Sequence, residues 1–146
     1  MIDVDHFKAV NDSRGHAAGD NVLRIIASGI AAMVRPYDSV GRYGGEEFLI
    51  VAPGCGPAET WELAERVRTH VARCSIMAAG AAVQVTLSLG VATAECAADL
   101  EKVLSDADAA MYRAKAAGRN RVEPSLGRAA RAGQASHPGS DRDFWI

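Results

Sequence analysis

Cysteine is scarce in this chain, and its three residues, Cys55, Cys74 and Cys96, are widely spaced with no C-x-x-C pair. An odd, dispersed set argues against a disulfide framework or a zinc site and points to a reducing compartment, the cytoplasm by default. Long apolar runs are also missing: none approaches the ~20 residues that span a bilayer. The N-terminus is acidic and polar from Asp3 onward, unlike a signal peptide. Nor does one sign of charge dominate. With 16 Lys and Arg against 18 Asp and Glu, the formal net charge is -2. There is no basic field of the kind that holds nucleic acid, so a phosphate ligand must be met by a few placed cations. What remains is 146 residues, 49% hydrophobic and 23% charged, enough for one soluble globular domain with a real core.

Strand and helix signals are mixed along the chain. "MIDV" reads as the end of a strand, and "FKAVNDSRGHAAGD" as a loop with at most a helical turn. From Asp20, apolar residues recur at Val22, Leu23, Ile26, Ile30, Met33 and Val34, the helical period. Pro36 is expected to end that helix. Residues 39–43 and 48–51 read as two short strands around a Gly-Gly-Glu-Glu tip. Gly56 and Pro57 open a second helix with the inward stripe Leu63, Ala64, Val67 and Val71. Val83, Val85, Leu87, Leu89 and Val91 alternate with polar residues as one half-buried strand. A third helix is predicted over about 98–117, with Leu100, Val103, Leu104, Ala107, Met111 and Ala114 inward and Gly118 as its cap. "RNRVE" reads as a final edge strand. Residues 124–146 lack periodicity and read as a disordered tail with one apolar cluster, Phe144, Trp145 and Ile146. The order predicts an α+β sheet, antiparallel in part, with helices packed on it in the ferredoxin-like manner.

The chemistry begins at the tip. A plain hairpin does not need Glu46 beside Glu47. If the first strand pairs with the hairpin, Asp3 and Glu46 project from one sheet edge, and Mg²⁺ takes one or two carboxylates with waters and phosphates completing the octahedron. Exposed acids on a turn are the competing reading, and spacing alone leaves both open. "DVDHFKAVND" is no EF-hand, because Phe7 and Lys8 stand where a ligand and a glycine are required. Lys115 and Arg119, four apart, could face one anion or simply complement the helix dipole. Arg35 and Asp38 read as a surface ion pair of little energetic weight.

Together these segments resemble the GGDEF family of diguanylate cyclases in its GGEEF form. The likeness runs from Met1 to about Glu123 and rests on five ordered motifs: "DVDHFKAVND", "GHAAGD", "RPYDSVGRYGGEEF", "VTLSLGVA" and "ADAAMYRAKAAGRNRV". The resemblance implies an enzyme that condenses two GTP into cyclic di-GMP and two pyrophosphates across a head-to-head homodimer. It implies Mg²⁺ (or Mn²⁺) held by Asp3, the Val4 carbonyl and Glu46, with Glu47 in support. By the same resemblance Asn11 and Asp20 read guanine, and His6, Phe7, Lys8, Lys115 and Arg119 hold the phosphates. Gly44 and Gly45 leave room for the nucleotide, and Glu46 helps remove the hydroxyl proton. Arg35 and Asp38 match the family's RxxD inhibitory site for cyclic di-GMP, with Arg66 as a further arginine.

The family's pattern normally starts earlier, with "DxLTGLxNR", a helix and the body of the first strand. The expectation is therefore an N-terminally truncated domain over 1–123, with Asp3 at a frayed end and no membrane segment. The alternative function is a catalytically inactive module that binds cyclic di-GMP through Arg35, Asp38 and Arg66; a non-functional fragment is the third reading.

Overall fold

In the computed structural model, which describes residues 1–94 and 100–126, the chain runs β1 (Ile2–Val4), α1 (Phe7–Arg14), α2 (His16–Ala31), β2 (Ser39–Arg42), β3 (Glu47–Val51) and α3 (Pro57–Arg73). It continues through β4 (Ile76–Ala78), β5 (Ala81–Val83), β6 (Leu87–Val91), α4 (Leu100–Ala116) and β7 (Arg121–Pro124). Five strands form a mixed sheet in the order β2-β3-β1-β6-β7, and β4 with β5 makes a separate hairpin. All pairings are antiparallel except β6 with β7. This is the α+β sheet with packed helices that the motif order predicts.

β1 has three residues but lies at the centre, with Asp3 opposite Glu47 on one side and Ser88 on the other. Its period-two alternation divides the labour. Ile2 and Val4 enter the main core with Phe48, Leu87, Leu89 and the inner faces of α1, α2 and α3. Met1 packs instead with Ala107 and Met111 of α4. Asp3 is therefore not frayed: it is 4% exposed. Burial of each large apolar side chain here contributes ~1.5–3 kcal/mol.

β6 is buried along almost its whole length. On its α4 side stand the small Ser88 and Gly90, and α4 answers with buried Ala107, Ala110 and Ala114. Small residues on both surfaces let helix and strand approach closely. α3 buries Leu63, Ala64, Val67 and Val71 as its periodicity predicts, behind Gly56 and Pro57. Past α4, the Arg119 amide donates to the Ala114 carbonyl at 2.9 Å. Gly118, at φ 110°, makes the left-handed turn that permits this closing bond.

Several sequence readings are corrected. The expected loop at 7–20 is mostly helical: Phe7 and Val10, one turn apart, are buried and give α1 its inner face, and Gly15 (φ 81°) separates it from α2. α2 begins at His16, not Asp20, and ends at Ala31, before Pro36 can act. The single strand expected from Val83 to Val91 is two, because Val83 pairs with Ile76 in the β4–β5 hairpin. Leu100 is not inward but 55% exposed; with Val103 and Leu104 it flanks an apolar cleft of about 520 Å³ floored by Leu49, Val51 and Val91. The expected start of this helix at 98 and the expected tail beyond 126 lie outside the described residues. Pro124, placed in that tail, belongs to β7, and the Ser125 amide still donates to the Val91 carbonyl at 2.7 Å.

Candidate active site

The sheet's register assembles the acidic residues. The Val4 amide donates to the Glu46 carbonyl at 3.2 Å, continuing the β1–β3 ladder to the hairpin tip. Tyr43 and Gly44 amides donate to the Glu47 carbonyl at 2.8 and 3.3 Å and close the turn. The Glu47 carboxylate folds over Gly44, where an added Cβ would lie 2.5 Å from Oε2, while nothing lies within 4 Å of one at Gly45. The tip is open at Gly45.

Opposite these acids stands the end of α4. Lys115 Nζ donates to Asp3 Oδ2 at 2.6 Å, a pair in which the Asp3 side chain is nearly buried. Burial pushes the Asp3 carboxyl above its ordinary range; Lys115 opposes this, while the Asp5 charge adds to it. Glu46 is also raised, first by desolvation and then by the charge of Asp3. A carboxylate pushed up by a neighbouring carboxylate charge marks a place where a cation is favourable. Arg119 adds its charge from beyond the end of α4.

The donor set suits a hard divalent cation. Among the described residues no three His, Cys, Asp or Glu side chains gather as a ligand cluster. Magnesium needs only one or two carboxylates when substrate phosphates and waters supply the rest, and Asp3 and Glu46 are the carboxylates that could be offered here.

The remaining candidates lie around this centre. His6, at φ 58°, is the N-cap of α1, so the first amides of that helix lack intrahelical partners beside Val4. Lys8 is exposed on α1. Asn11 packs across the α1–α2 junction on Gly19, the residue before Asp20: a Cβ there would lie 2.0 Å from Asn11 Oδ1. That oxygen is buried and, among the described residues, has no hydrogen-bond partner. Asp20 borders a cleft of about 650 Å³ between α2 and the β2–β3 hairpin, which Arg24 and Arg42 also line. The apolar cleft under α4 has no charged side chain among its described lining residues.

One sequence reading fails here. Arg35 and Asp38 form no side-chain ion pair. Asp38 Oδ2 accepts from the Arg35 backbone amide at 2.8 Å, and the Asp38 amide donates back to the Arg35 carbonyl at 3.0 Å. The aspartate is occupied in fixing a turn. The Arg35 guanidinium lies 5.9 Å from the Tyr37 ring centroid and 3.8 Å from Cys55 Sγ. Arg66 reaches the same corner through Nη2 to the Met33 carbonyl at 2.9 Å.

Sequence reasoning also missed two residues. Arg42 donates from Nε to the Gly45 carbonyl at 3.0 Å and stiffens the glycine tip. Asp5 is buried and accepts from both Thr86 and Ser88. The signal for Asp5 was its two-residue offset from Asp3, which puts both on one face of the strand.

Comparison with known proteins shows the family. Residues 1–121 match the family described as diguanylate cyclase, GGDEF domain. The chain belongs to the GGDEF family. It is 42% identical over 123 residues to the diguanylate cyclase DgcP of Pseudomonas aeruginosa, covering 84% of this chain and 18% of DgcP. An active GGEEF domain of a diguanylate cyclase from Vibrio cholerae superposes with a TM-score of 0.75 at 31% identity, over 85% of this chain and 79% of that one. The GGDEF domain of DgcB from Caulobacter crescentus, solved with cyclic di-GMP, gives 0.70 at 35% identity, over 85% and 74%. This GGDEF chain spans 18% to 33% of the length of such curated relatives.

Proposed function

We propose that the chain is a diguanylate cyclase domain: each of two facing copies binds one GTP, and the pair forms cyclic di-GMP and two pyrophosphates. The observation that carries this reading is the Asp3–Glu46 carboxylate pair with Lys115 on Asp3, beside the open Gly45. Family membership and the active GGEEF relative support it.

Asp3, the Val4 carbonyl and Glu46 would hold Mg²⁺ (or Mn²⁺), with Glu47 behind them. The bound ion supplies charge neutralisation for the developing phosphoryl charge and the departing pyrophosphate. The chain's own groups do the rest. Lys8, Lys115 and Arg119 bind phosphate oxygens, and the free amides of His6 and Phe7 add donors at the start of α1. Asn11 and Asp20 recognise the guanine edge: the unpartnered Asn11 Oδ1 accepts from it, and Asp20 takes its N–H groups. Gly45 lets the nucleotide approach the backbone.

The 3′-oxygen of one GTP attacks the α-phosphorus held by the other copy. A new P–O bond forms as the bond to the pyrophosphate oxygen breaks. Glu46 is the group placed to take the hydroxyl proton, directly or through water. One copy carries one GTP, so the reaction needs a homodimer of facing sites, and in-line attack makes rate sensitive to its geometry.

A second reading has its own observation. Arg66 donates to the Met33 carbonyl, two residues before Arg35, at an exposed corner where Asp38 holds the turn. We propose this corner as a product site for cyclic di-GMP, a ligand present in the DgcB structure; a chain using only this site would bind the product and make none. Incubating the chain at high concentration with GTP and Mg²⁺ and separating the products by chromatography tests the first reading. Cyclic di-GMP is expected. Its absence from folded protein that binds cyclic di-GMP in calorimetry would leave the binding-module reading.

A further inference from the structure

Asp5 is a buried carboxylate with no part in the reaction sequence above. It is 3% exposed, yet three donors converge on it. Thr86 Oγ1 and the Asn120 amide donate to Oδ2 at 2.6 and 3.0 Å, and Ser88 Oγ donates to Oδ1 at 2.6 Å. A carboxylate taken out of water is costly unless its oxygens are paired. Three donors supply that pairing, and one of them, the Asn120 amide, belongs to the turn that follows α4.

The segment it grips is the one that presents Arg119. Gly118, Arg119 and Asn120 follow one another at φ 110°, 63° and 46°. Glycine takes this left-handed region freely, but arginine and asparagine must be held there by their surroundings. Asn120 is held from two sides. Its amide is fixed on Asp5, and its Oδ1 and carbonyl accept from Arg68 of α3 at 2.9 and 3.4 Å. Arg68 is itself anchored on Glu65. The turn leaves the Arg119 charge acting on Asp3.

We propose that Asp5 is a positioning residue: through the Asn120 amide it fixes the left-handed turn that aims Arg119 at the phosphate side of the Asp3–Glu46 site. The proposal rests on reading that site as a GTP site.

A double-mutant cycle on the full chain tests it, with GTP affinity measured by titration and folding checked by thermal melting. Asp5→Asn keeps the side-chain shape but turns an amide N–H₂ toward one of its donors. It is expected to weaken GTP binding about tenfold, and to add nothing in an Arg119→Ala background, because members of one network are non-additive. A general loosening of structure would add its loss to that of Arg119→Ala, and such additivity overturns the proposal. Should Asp5→Asn fail to fold, Arg68→Ala releases Asn120 from the partly exposed side; the same non-additivity is expected, and additivity there overturns the proposal equally. A wild-type chain that binds no GTP overturns the functional reading and this proposal with it. Additive losses in a chain that does bind GTP overturn the role of Asp5 alone.

Discussion

The close seating of α4 on β6 sets where Lys115 meets Asp3, so Gly90→Ala should disturb both stability and site. A Cβ at Gly90 would lie 2.0 Å from the Ala107 carbonyl oxygen, 2.3 Å from the Met111 amide nitrogen and 3.0 Å from the Ala110 carbonyl carbon. All three are backbone atoms, so no side-chain rotation relieves the clash. β6 cannot retreat either, since β1 and β7 pair with it on both edges. α4 must therefore withdraw by at least about 1 Å to restore a 3.0 Å contact. Overpacking of a filled core costs ~1–3 kcal/mol, and a helix-backbone clash belongs at the upper end. At ~3–4 °C per kcal/mol for a chain this size, the melting temperature should fall by roughly 10 °C. Gly41→Ala is the control: nothing lies within 4 Å of its Cβ, and its effect should stay within ~0.5 kcal/mol. Thermal melting by circular dichroism compares the two. A drop below about 2 °C for Gly90→Ala would refute the close α4–β6 contact and, with it, the placement of Lys115.

Glu46→Gln should abolish cyclic di-GMP formation in the chromatographic assay with the melting curve nearly unchanged; normal turnover would remove Glu46 from the proposed chemistry. Because Asp3 and Glu46 titrate above their ordinary range when folded, the metal-free folded state binds more protons than the unfolded chain in that window. Their contribution to stability is therefore present at low pH and lost as pH rises through the raised values. Melting across that range should show a shallower loss in Glu46→Gln than in wild type, and identical slopes would contradict the coupling. Mg²⁺ at ~100 times its Kd should stabilise the wild type by ~2.7 kcal/mol, and Asp3→Asn should lose most of that increment; equal increments in both would place the ion elsewhere. Gly45→Ala meets nothing in the free protein, so it should melt like wild type yet bind GTP at least about tenfold more weakly, since the cost falls on the close approach of the ligand; unaltered affinity would put the nucleotide away from the tip.

The parts legible in the sequence were those with strong local periodicity or punctuation. α3 announced itself through Gly56, Pro57 and a four-residue stripe, and the β2–β3 hairpin through Gly44 and Gly45. α1 was hidden because only Phe7 and Val10 carry its inner face, too few positions to distinguish a helix from a loop. β4 and β5 were hidden because alanine, a poor strand former, fills Ala78, Ala81 and Ala82. What decides that hairpin is its turn, Ala79 and Gly80 at φ 49° and 76°, the left-handed pair that matches strand twist. The opening acids could be read as a candidate site because Asp3 lies on the short first strand and Glu46 at the hairpin tip just before β3. Asp5 offered only its two-residue offset from Asp3, since its partners Thr86, Ser88 and Asn120 lie 81, 83 and 115 residues away. Those contacts follow from register, and a slip of one residue in β1 would turn Asp3 and Asp5 into the apolar core and Val4 toward Lys115. Such a slip buries two unpaired carboxylates and exposes Ile2 and Val4, so the same alternation that builds the core also selects which acids face α4.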